Sequence, residues 1–147
     1  MMTRPEIDER LVRELRERGL RVTSQRLMIH RALCAHAQHL TAEQVLETVS
    51  AVLPGTSLPT VYATLELLEQ LGLVRRFGTG NGAVLFDSRV EPHAHTVCRH
   101  CGETADLDGT PASDRALARA RESGFTPDHA QLVIWGSCAR CAQLRAN

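Results

Sequence analysis

The sequence predicts an α+β fold built from an N-terminal winged helix, which combines helices with a β-hairpin wing, and a small C-terminal α/β domain. Residues 5–76 carry helical periodicity and lead into two short apolar runs around a glycine-rich turn. The last third of the chain combines strand-like runs with one helical run. We expect the domains to be residues 1–86 and 93–147, joined by a polar hinge over residues 87–92.

Four helices are predicted in the N-terminal part, each from apolar residues at helical spacing and a residue that suits one of its ends. The first covers residues 7–18, where every fourth residue is apolar, and Gly19 suits its C-cap. The fourth tolerates Pro59 in its first turn and ends at Gly72. The last three helices follow N-cap residues whose hydroxyls can accept a backbone N–H bond: Thr23, Thr41 and Ser57.

The wing and the C-terminal elements follow from shorter patterns. Leu73 to Phe77 and Ala83 to Phe86 are apolar runs joined by Gly-Thr-Gly-Asn-Gly, which predicts a β-hairpin. Strands are then expected from His95 to Cys98, from Glu103 to Leu107 and from Leu132 to Trp135, with a helix near residues 113–123. A domain of some 55 residues has a marginal core, so we expect a bound metal and a partner subunit to stabilise it.

Composition excludes several classes of protein. The chain has 147 residues, 17 basic and 17 acidic side chains, 43% hydrophobic residues and five cysteines. It is therefore neither disordered by composition nor a strongly basic nucleic-acid coat. It lacks both a membrane-spanning apolar run and the apolar core of a signal peptide, so we expect a cytoplasmic protein. In that reducing compartment, cysteines are more often metal ligands than disulfides.

Four cysteines form two pairs at the spacing of a zinc site. Cys98 and Cys101 follow one strand-like run, and Cys138 and Cys141 follow another. Two such knuckles can complete a tetrahedral site of four thiolates, which is structural because it leaves no open position. The alternative is a redox pair, although neither pair has the strand-to-helix setting of a thioredoxin-like site. Cys34 is interpreted as a core residue.

Histidines and aspartates suggest a second metal site near the hinge. Three imidazoles and two carboxylates suit Fe(II) or Mn(II), and the competing interpretation is a set of surface groups and hinge caps. The candidate ligands are His39, Asp87, His93, His95 and Asp106. The remaining histidines of the helices and the first knuckle are expected to be solvated: His30, His36 and His100.

Six segments together resemble the ferric uptake regulator family: Gly19–Arg26, His39–Glu43, Ser57–Leu65, Gly72–Val74, Phe86-Asp87 and His93–Gly102. The resemblance implies a DNA-binding winged helix, a dimerisation domain and metal-dependent repression, and not an enzyme. It also implies that the four paired cysteines hold structural zinc and that the five His and Asp residues hold the regulatory Fe(II) or Mn(II).

The two carboxylates bear on the subtype. The iron-uptake branch typically has Glu at both positions, whereas the peroxide-sensing branch has Asp, as this chain does at Asp87 and Asp106. Resemblance to that branch implies that peroxide oxidises a ligand histidine of the Fe(II) form, for which we expect His39 or His93. Loss of that ligand would release the DNA, whereas the Mn(II) form would be insensitive to peroxide.

The DNA surface is expected on the second and fourth helices of a dimer that binds an inverted repeat of double-stranded DNA. Tyr62 matches the family's DNA-contacting tyrosine, whereas Ala63 stands where relatives often have Arg or Asn. Arginines of the first two helices suit phosphate contacts, or equally a solvated face paired with glutamates. The expected DNA-contacting residues are Arg21, Gln25, Arg26, Ser57, Pro59, Thr60, Tyr62 and Ala63.

Three alternatives remain open from the sequence. A regulator of iron, manganese or nickel uptake would share the family's architecture without sensing peroxide. A mononuclear non-haem iron enzyme would use two histidines and one carboxylate, but the chain has only 3% aromatic residues to line a substrate pocket. A zinc-stabilised interaction module would lack the sensory metal.

Overall fold

The computed structural model describes residues 3–35, 39–109 and 111–146. The α+β fold class is confirmed. The chain divides into two compact units, residues 1–90 and residues 91–147. The described residues form these elements: α1 Arg4–Glu17, α2 Ser24–Ala35, α3 Ala42–Ser50, α4 Leu58–Gln70, β1 Arg75–Gly78, β2 Val84–Asp87, β3 Ala94–Cys98, β4 Thr104–Leu107, α5 Pro111–Glu122, β5 Leu132–Gly136 and α6 Ala139–Ala146.

The first four helices pack around one apolar core in the N-terminal unit. The predicted caps form: Thr41 and Gln44 exchange side chain-to-backbone bonds in a capping box, and Ser57 accepts the Thr60 amide. Gly19 and Gly72 lie at φ +66° and +69°, a conformation that a residue with a Cβ adopts at a cost. The fully buried core side chains include Leu11, Leu15, Ile29, Val45, Val49, Val61, Leu65 and Leu68.

The wing is a two-stranded antiparallel hairpin. Strand β1 pairs with β2 in the register Arg75 to Asp87, and Leu40 adds an isolated bridge to Phe86. The first strand begins two residues later than the sequence predicts. Leu73 and Val74 instead pack in the helical core, where both are nearly inaccessible to solvent. Burial among the helices thus takes the start of the predicted strand out of the sheet.

The C-terminal unit contains a three-stranded sheet with the order β4-β3-β5. Strand β3 is antiparallel to β4 and parallel to β5, so β3 and β5 end at the same edge. Helix α5 lies close to its predicted range, but α6 was not predicted. Its residues are mostly Ala, Arg, Gln and Leu, a composition that favours a helix. None of the described helices combines the length and the apolar composition of a membrane span.

Candidate metal centres and nucleic-acid interface

The four paired cysteines lie together in the C-terminal unit. Cys98 ends β3 and Cys138 follows β5, so the parallel pairing of these strands brings the two pairs to one edge. The turn after Cys98 is closed by the Gly102 amide, which donates to the Cys98 carbonyl at 2.9 Å. Cys141 is carried by α6, the helix that the sequence analysis missed.

The distances between the sulfurs fit a tetrahedral zinc ion. The four Sγ atoms lie within 4.8 Å of one another, and Cys101 Sγ is 3.7 Å from Cys138 Sγ. A Zn–S bond of about 2.3 Å gives a tetrahedron with an S–S edge of about 3.8 Å. The cluster therefore already has the size that zinc requires.

Electrostatics in the cluster favours a bound cation. The Cys138 amide donates to Cys98 Sγ at 3.3 Å, and with the amides of Cys101 and His100 it lowers the pKa of Cys98 to about 5. By contrast, the hydrogen bond with the Cys138 thiol, together with burial, raises the pKa of Cys141 to about 12. One sulfur is thus readily a thiolate while another holds its proton. A divalent cation would stabilise all four as thiolates.

A group of two histidines and one aspartate lies across β3 and β4. His95 and Asp106 are opposite each other in the register of these strands. His93 Nε2 and His95 Nε2 are 3.4 and 3.8 Å from Asp106 Oδ1, and the two imidazole centroids are 4.4 Å apart. Strand alternation places both imidazoles on one face, as the sequence predicts.

The tautomer of His93 follows from its other nitrogen. Nδ1 is 2.8 Å from the Glu91 carbonyl oxygen, which can only accept, so Nδ1 carries a proton. The opposite nitrogen, Nε2, faces the Asp106 carboxylate from a side chain that is only 2% exposed. In the neutral imidazole, Nε2 and the carboxylate are both acceptors. A divalent cation bound between them would accept a lone pair from each.

The N-terminal unit holds a second pair of candidate ligands. His39 Nε2 is 3.4 Å from Asp87 Oδ2, and the side chains are 5% and 9% exposed. Phe77 packs edge-on against the His39 ring at 5.0 Å, and the Arg89 amide donates to Asp87 Oδ1 at 2.7 Å. The pairing of Leu40 with β2 places His39 beside the end of that strand. These contacts orient one imidazole nitrogen and one carboxylate oxygen toward each other.

The expected DNA-contacting residues lie around the N-terminal ends of α2 and α4. A groove there is lined by Gln25 and Arg26 from α2 and by Pro59, Thr60 and Ala63 from α4. This groove places five of the eight expected residues together.

The other three expected residues lie at nearby positions of the same unit. Ser57 caps α4, and its hydroxyl is 3.0 Å from the Thr60 hydroxyl. Arg21 accepts a bond from the Arg26 guanidinium through its carbonyl. Tyr62 is 47% exposed, and its hydroxyl donates to Glu43 Oε1 at 3.2 Å. Sequence reasoning missed Glu43 as the residue that positions this tyrosine.

The expectation that three histidines are solvated is wrong for His30. This side chain is 3% exposed inside α2, and Nδ1 has no hydrogen-bond partner among the described residues. Burial, with a smaller contribution from Arg10, lowers its pKa to about 4. His100 is exposed and accepts from Arg145 Nη1 at 2.9 Å. His36 lies outside the described residues.

Comparison with known proteins supports the resemblance seen in the sequence. The model of the ferric uptake regulator family matches residues 17–135. Ferric uptake regulation protein 1 of Mycolicibacterium fortuitum is 36% identical over 132 residues, which cover 89% of this chain and 81% of that protein. The peroxide-responsive repressor PerR of Staphylococcus aureus (strain Mu50) is 28% identical over 133 residues, which cover 90% of each chain.

A solved structure shares the architecture. The ferric uptake regulator from Pseudomonas aeruginosa with manganese is 32% identical to this chain, with a TM-score of 0.70. The match covers 87% of this chain and 97% of that one.

Proposed function

The chain belongs to the ferric uptake regulator family and is a metal-responsive transcriptional regulator, and from this premise we propose that it is a peroxide-sensing repressor. In this proposal it binds an inverted-repeat operator as a homodimer and holds structural zinc and a regulatory Fe(II) or Mn(II) ion. The observation that supports the metal-dependent step is the closeness of His93 Nε2 and His95 Nε2 to Asp106 Oδ1, at 3.4 and 3.8 Å, in a group with the ligand types that suit Fe(II) and Mn(II).

The structural zinc is assigned to the four clustered thiols. Their 3.7 Å sulfur separation and shared position at one edge of the sheet support this assignment. Since the C-terminal unit has a small core, binding of the ion contributes to its folding. The proposed ligands are Cys98, Cys101, Cys138 and Cys141.

The regulatory ion is assigned to five His and Asp side chains, of which Asp106 is exposed. Three imidazole nitrogens and two carboxylate oxygens form a donor set that suits Fe(II) and Mn(II). An ion bound by groups of both units would favour one angle between them. The ion would shift the population toward that angle, because only at that angle can it bind ligands from both units. The proposed ligands are His39, Asp87, His93, His95 and Asp106.

Dimerisation is assigned to the C-terminal unit. Several large apolar side chains are more than 40% exposed in this unit, and a second copy would cover them. They are Leu107, Phe125, Ile134, Trp135 and Leu144. A two-fold dimer presents its two α4 helices to two half-sites, so the operator should be an inverted repeat.

Peroxide sensing rests on the ligand types and on the resemblance to peroxide-responsive repressors. Fe(II), when bound, supplies a redox-active centre beside the ligand imidazoles, whereas Mn(II) is less readily oxidised by peroxide. His39 and His93 are held in place by Phe77 and by the Glu91 carbonyl, respectively. One oxygen atom of peroxide would be added to one of these rings and the other would leave as water. The modified ring would no longer serve as a ligand, so the constraint that the ion places on the two units would be lost.

The test compares Fe(II)-loaded and Mn(II)-loaded protein on one operator, before and after peroxide. We expect peroxide to abolish binding only in the Fe(II) form, with mass spectrometry showing one added oxygen on His39 or His93. The exposed His129 provides an internal control that should stay unmodified. Loss of binding without oxidation of either ligand histidine contradicts the mechanism.

An uptake regulator that does not sense peroxide is the second candidate, favoured by the higher identity to an iron regulator. Metal-dependent binding that survives peroxide in the Fe(II) form would support this function instead. The relatives are transcriptional regulators and give no support to the alternative of a mononuclear iron enzyme.

A further inference from the structure

The outer face of α4 offers almost no side-chain donor to a DNA base. The helix contains no Lys, Arg, Asn or His, and its only Gln is Gln70 at the far end. The exposed side chains of its first two turns are Pro59, Tyr62 and Ala63, followed by Glu66 in the third turn. This face thus consists of two rings, a methyl group and a carboxylate.

The hydroxyls near this face already have partners within the protein. The Tyr62 hydroxyl donates to Glu43 Oε1 at 3.2 Å, which leaves the apolar part of the ring exposed. The hydroxyls of Thr60 and Ser57 bond to each other at 3.0 Å, and Ser57 also caps the helix. The hydroxyls of Thr60 and Tyr62 are therefore engaged within the protein.

Base pairs present a small set of groups in the major groove. Guanine shows two acceptors and is usually read by Arg or Lys, and adenine is usually read by Asn or Gln. Thymine is distinguished by its C5 methyl group, which is recognised by apolar contact. Cytosine shows an amino donor, which Glu66 could accept. The thymine methyl is the group that matches the apolar side chains of the first two turns, Pro59, Tyr62 and Ala63.

We propose that Ala63 reads the C5 methyl group of a thymine, so that α4 recognises its half-site mainly by apolar contact. Pro59 and Ala63 are one turn apart on the same side of the helix and line the same groove with Gln25 and Arg26. A larger side chain at position 63 would occupy the space in which the methyl group is placed. The inference rests on the proposed DNA-binding function and adds the chemistry by which the operator is selected.

The test begins with selection of operators by the full-length, zinc- and Mn(II)-loaded protein from a library of random duplexes. Each thymine of the selected half-site is then replaced singly by deoxyuridine, which removes only the methyl group. We expect at least one replacement to weaken binding about fourfold, the equivalent of about 0.8 kcal/mol for one buried methyl group. In Ala63→Gly protein, deoxyuridine at that position should cause no further loss.

A matched variant separates contact from helix stability. Ala116→Gly makes the same change at an exposed position of α5 in the other unit, and it should retain the full deoxyuridine effect. Circular dichroism checks that both variants are folded.

The outcomes distinguish the inference from the function on which it rests. The inference is overturned if every deoxyuridine duplex binds like the original, or if Ala63→Gly keeps the same penalty. It is also overturned if the base pair that Ala63 contacts is selected as a cytosine or guanine. Glu66 would then be the candidate acceptor for the cytosine. If no sequence is enriched in the presence of metal, DNA binding itself fails, and the inference fails with it.

Discussion

The buried imidazole of His30 makes the stability of the N-terminal unit depend on pH. Its pKa is lowered from 6.5 to about 4, chiefly by burial, so the folded chain holds the neutral ring. In the unfolded chain this group binds a proton as the pH falls below about 6.5. The unfolded state then binds more protons than the folded state, and stability decreases as the pH falls.

The size of the effect follows from the two pKa values. Between about pH 7.5 and about pH 5, preferential protonation of the unfolded chain costs about 2 kcal/mol. Asp8 does not account for a loss of stability between about pH 7.5 and about pH 5. The hydrogen bonds from Arg31 hold the pKa of Asp8 below its ordinary value, so the contribution of this carboxylate to stability is lost at lower pH.

His30→Phe tests this reasoning because it keeps an aromatic ring and removes the titrating group. Urea unfolding at both pH values, with hydrogen exchange of α2 peptides as the local readout, should show that the variant lacks most of the 2 kcal/mol loss. His129→Phe changes an exposed histidine in the other unit and should behave like the parent protein. A His30→Phe variant that loses as much stability as the parent would refute the assignment to His30.

Three further predictions concern other parts of the molecule. Cys101→Ser should lower zinc content and unfold the C-terminal unit, whereas Cys34→Ser should retain zinc; equal zinc content by elemental analysis would contradict the proposed ligands. Asp8→Asn removes a two-point pairing with Arg31 and should destabilise the protein by only about 1 kcal/mol, because the pair is partly exposed. If the losses from Asp8→Asn and Arg31→Gln simply add in a double-mutant cycle, the two residues are not coupled. Thr41→Ala removes a capping-box hydroxyl and should cost about 1 kcal/mol in urea unfolding, while Thr41→Ser should retain most of it.

Local chemistry accounts for what the sequence predicted about the fold. Caps at Thr41 and Ser57 and the glycines after α1 and α4 act within a few residues, so the helices could be placed without the tertiary structure. The cysteine pairs were recognisable for the same reason, since their spacing is local. The first pair lies on a turn, whereas the second lies where β5 leads into α6, a strand-to-helix setting that the sequence analysis did not expect. Helix α6 was not predicted because its eight residues are too few to show a distinctive helical periodicity.

Burial and the pairing of distant segments could not be read from the chain. His30 was predicted to be solvated because its burial depends on the packing of the helices. Leu73 was predicted to lie in a strand, but it packs in the helical core instead. Likewise, only the folded chain shows that Glu43 holds the Tyr62 hydroxyl. These contacts link residues that are far apart in the sequence, and periodicity carries no information about them.

Residue identity and short-range spacing are enough to predict the α+β class, the order of the first elements, the two cysteine pairs and the types of candidate metal ligand. Two features could be known only from the folded chain. They are the parallel pairing of β3 and β5, which brings the four sulfurs to one edge, and the position of Asp106 opposite His95. The reason is that strand register is set by long-range hydrogen bonding and burial, which exist only in the folded chain.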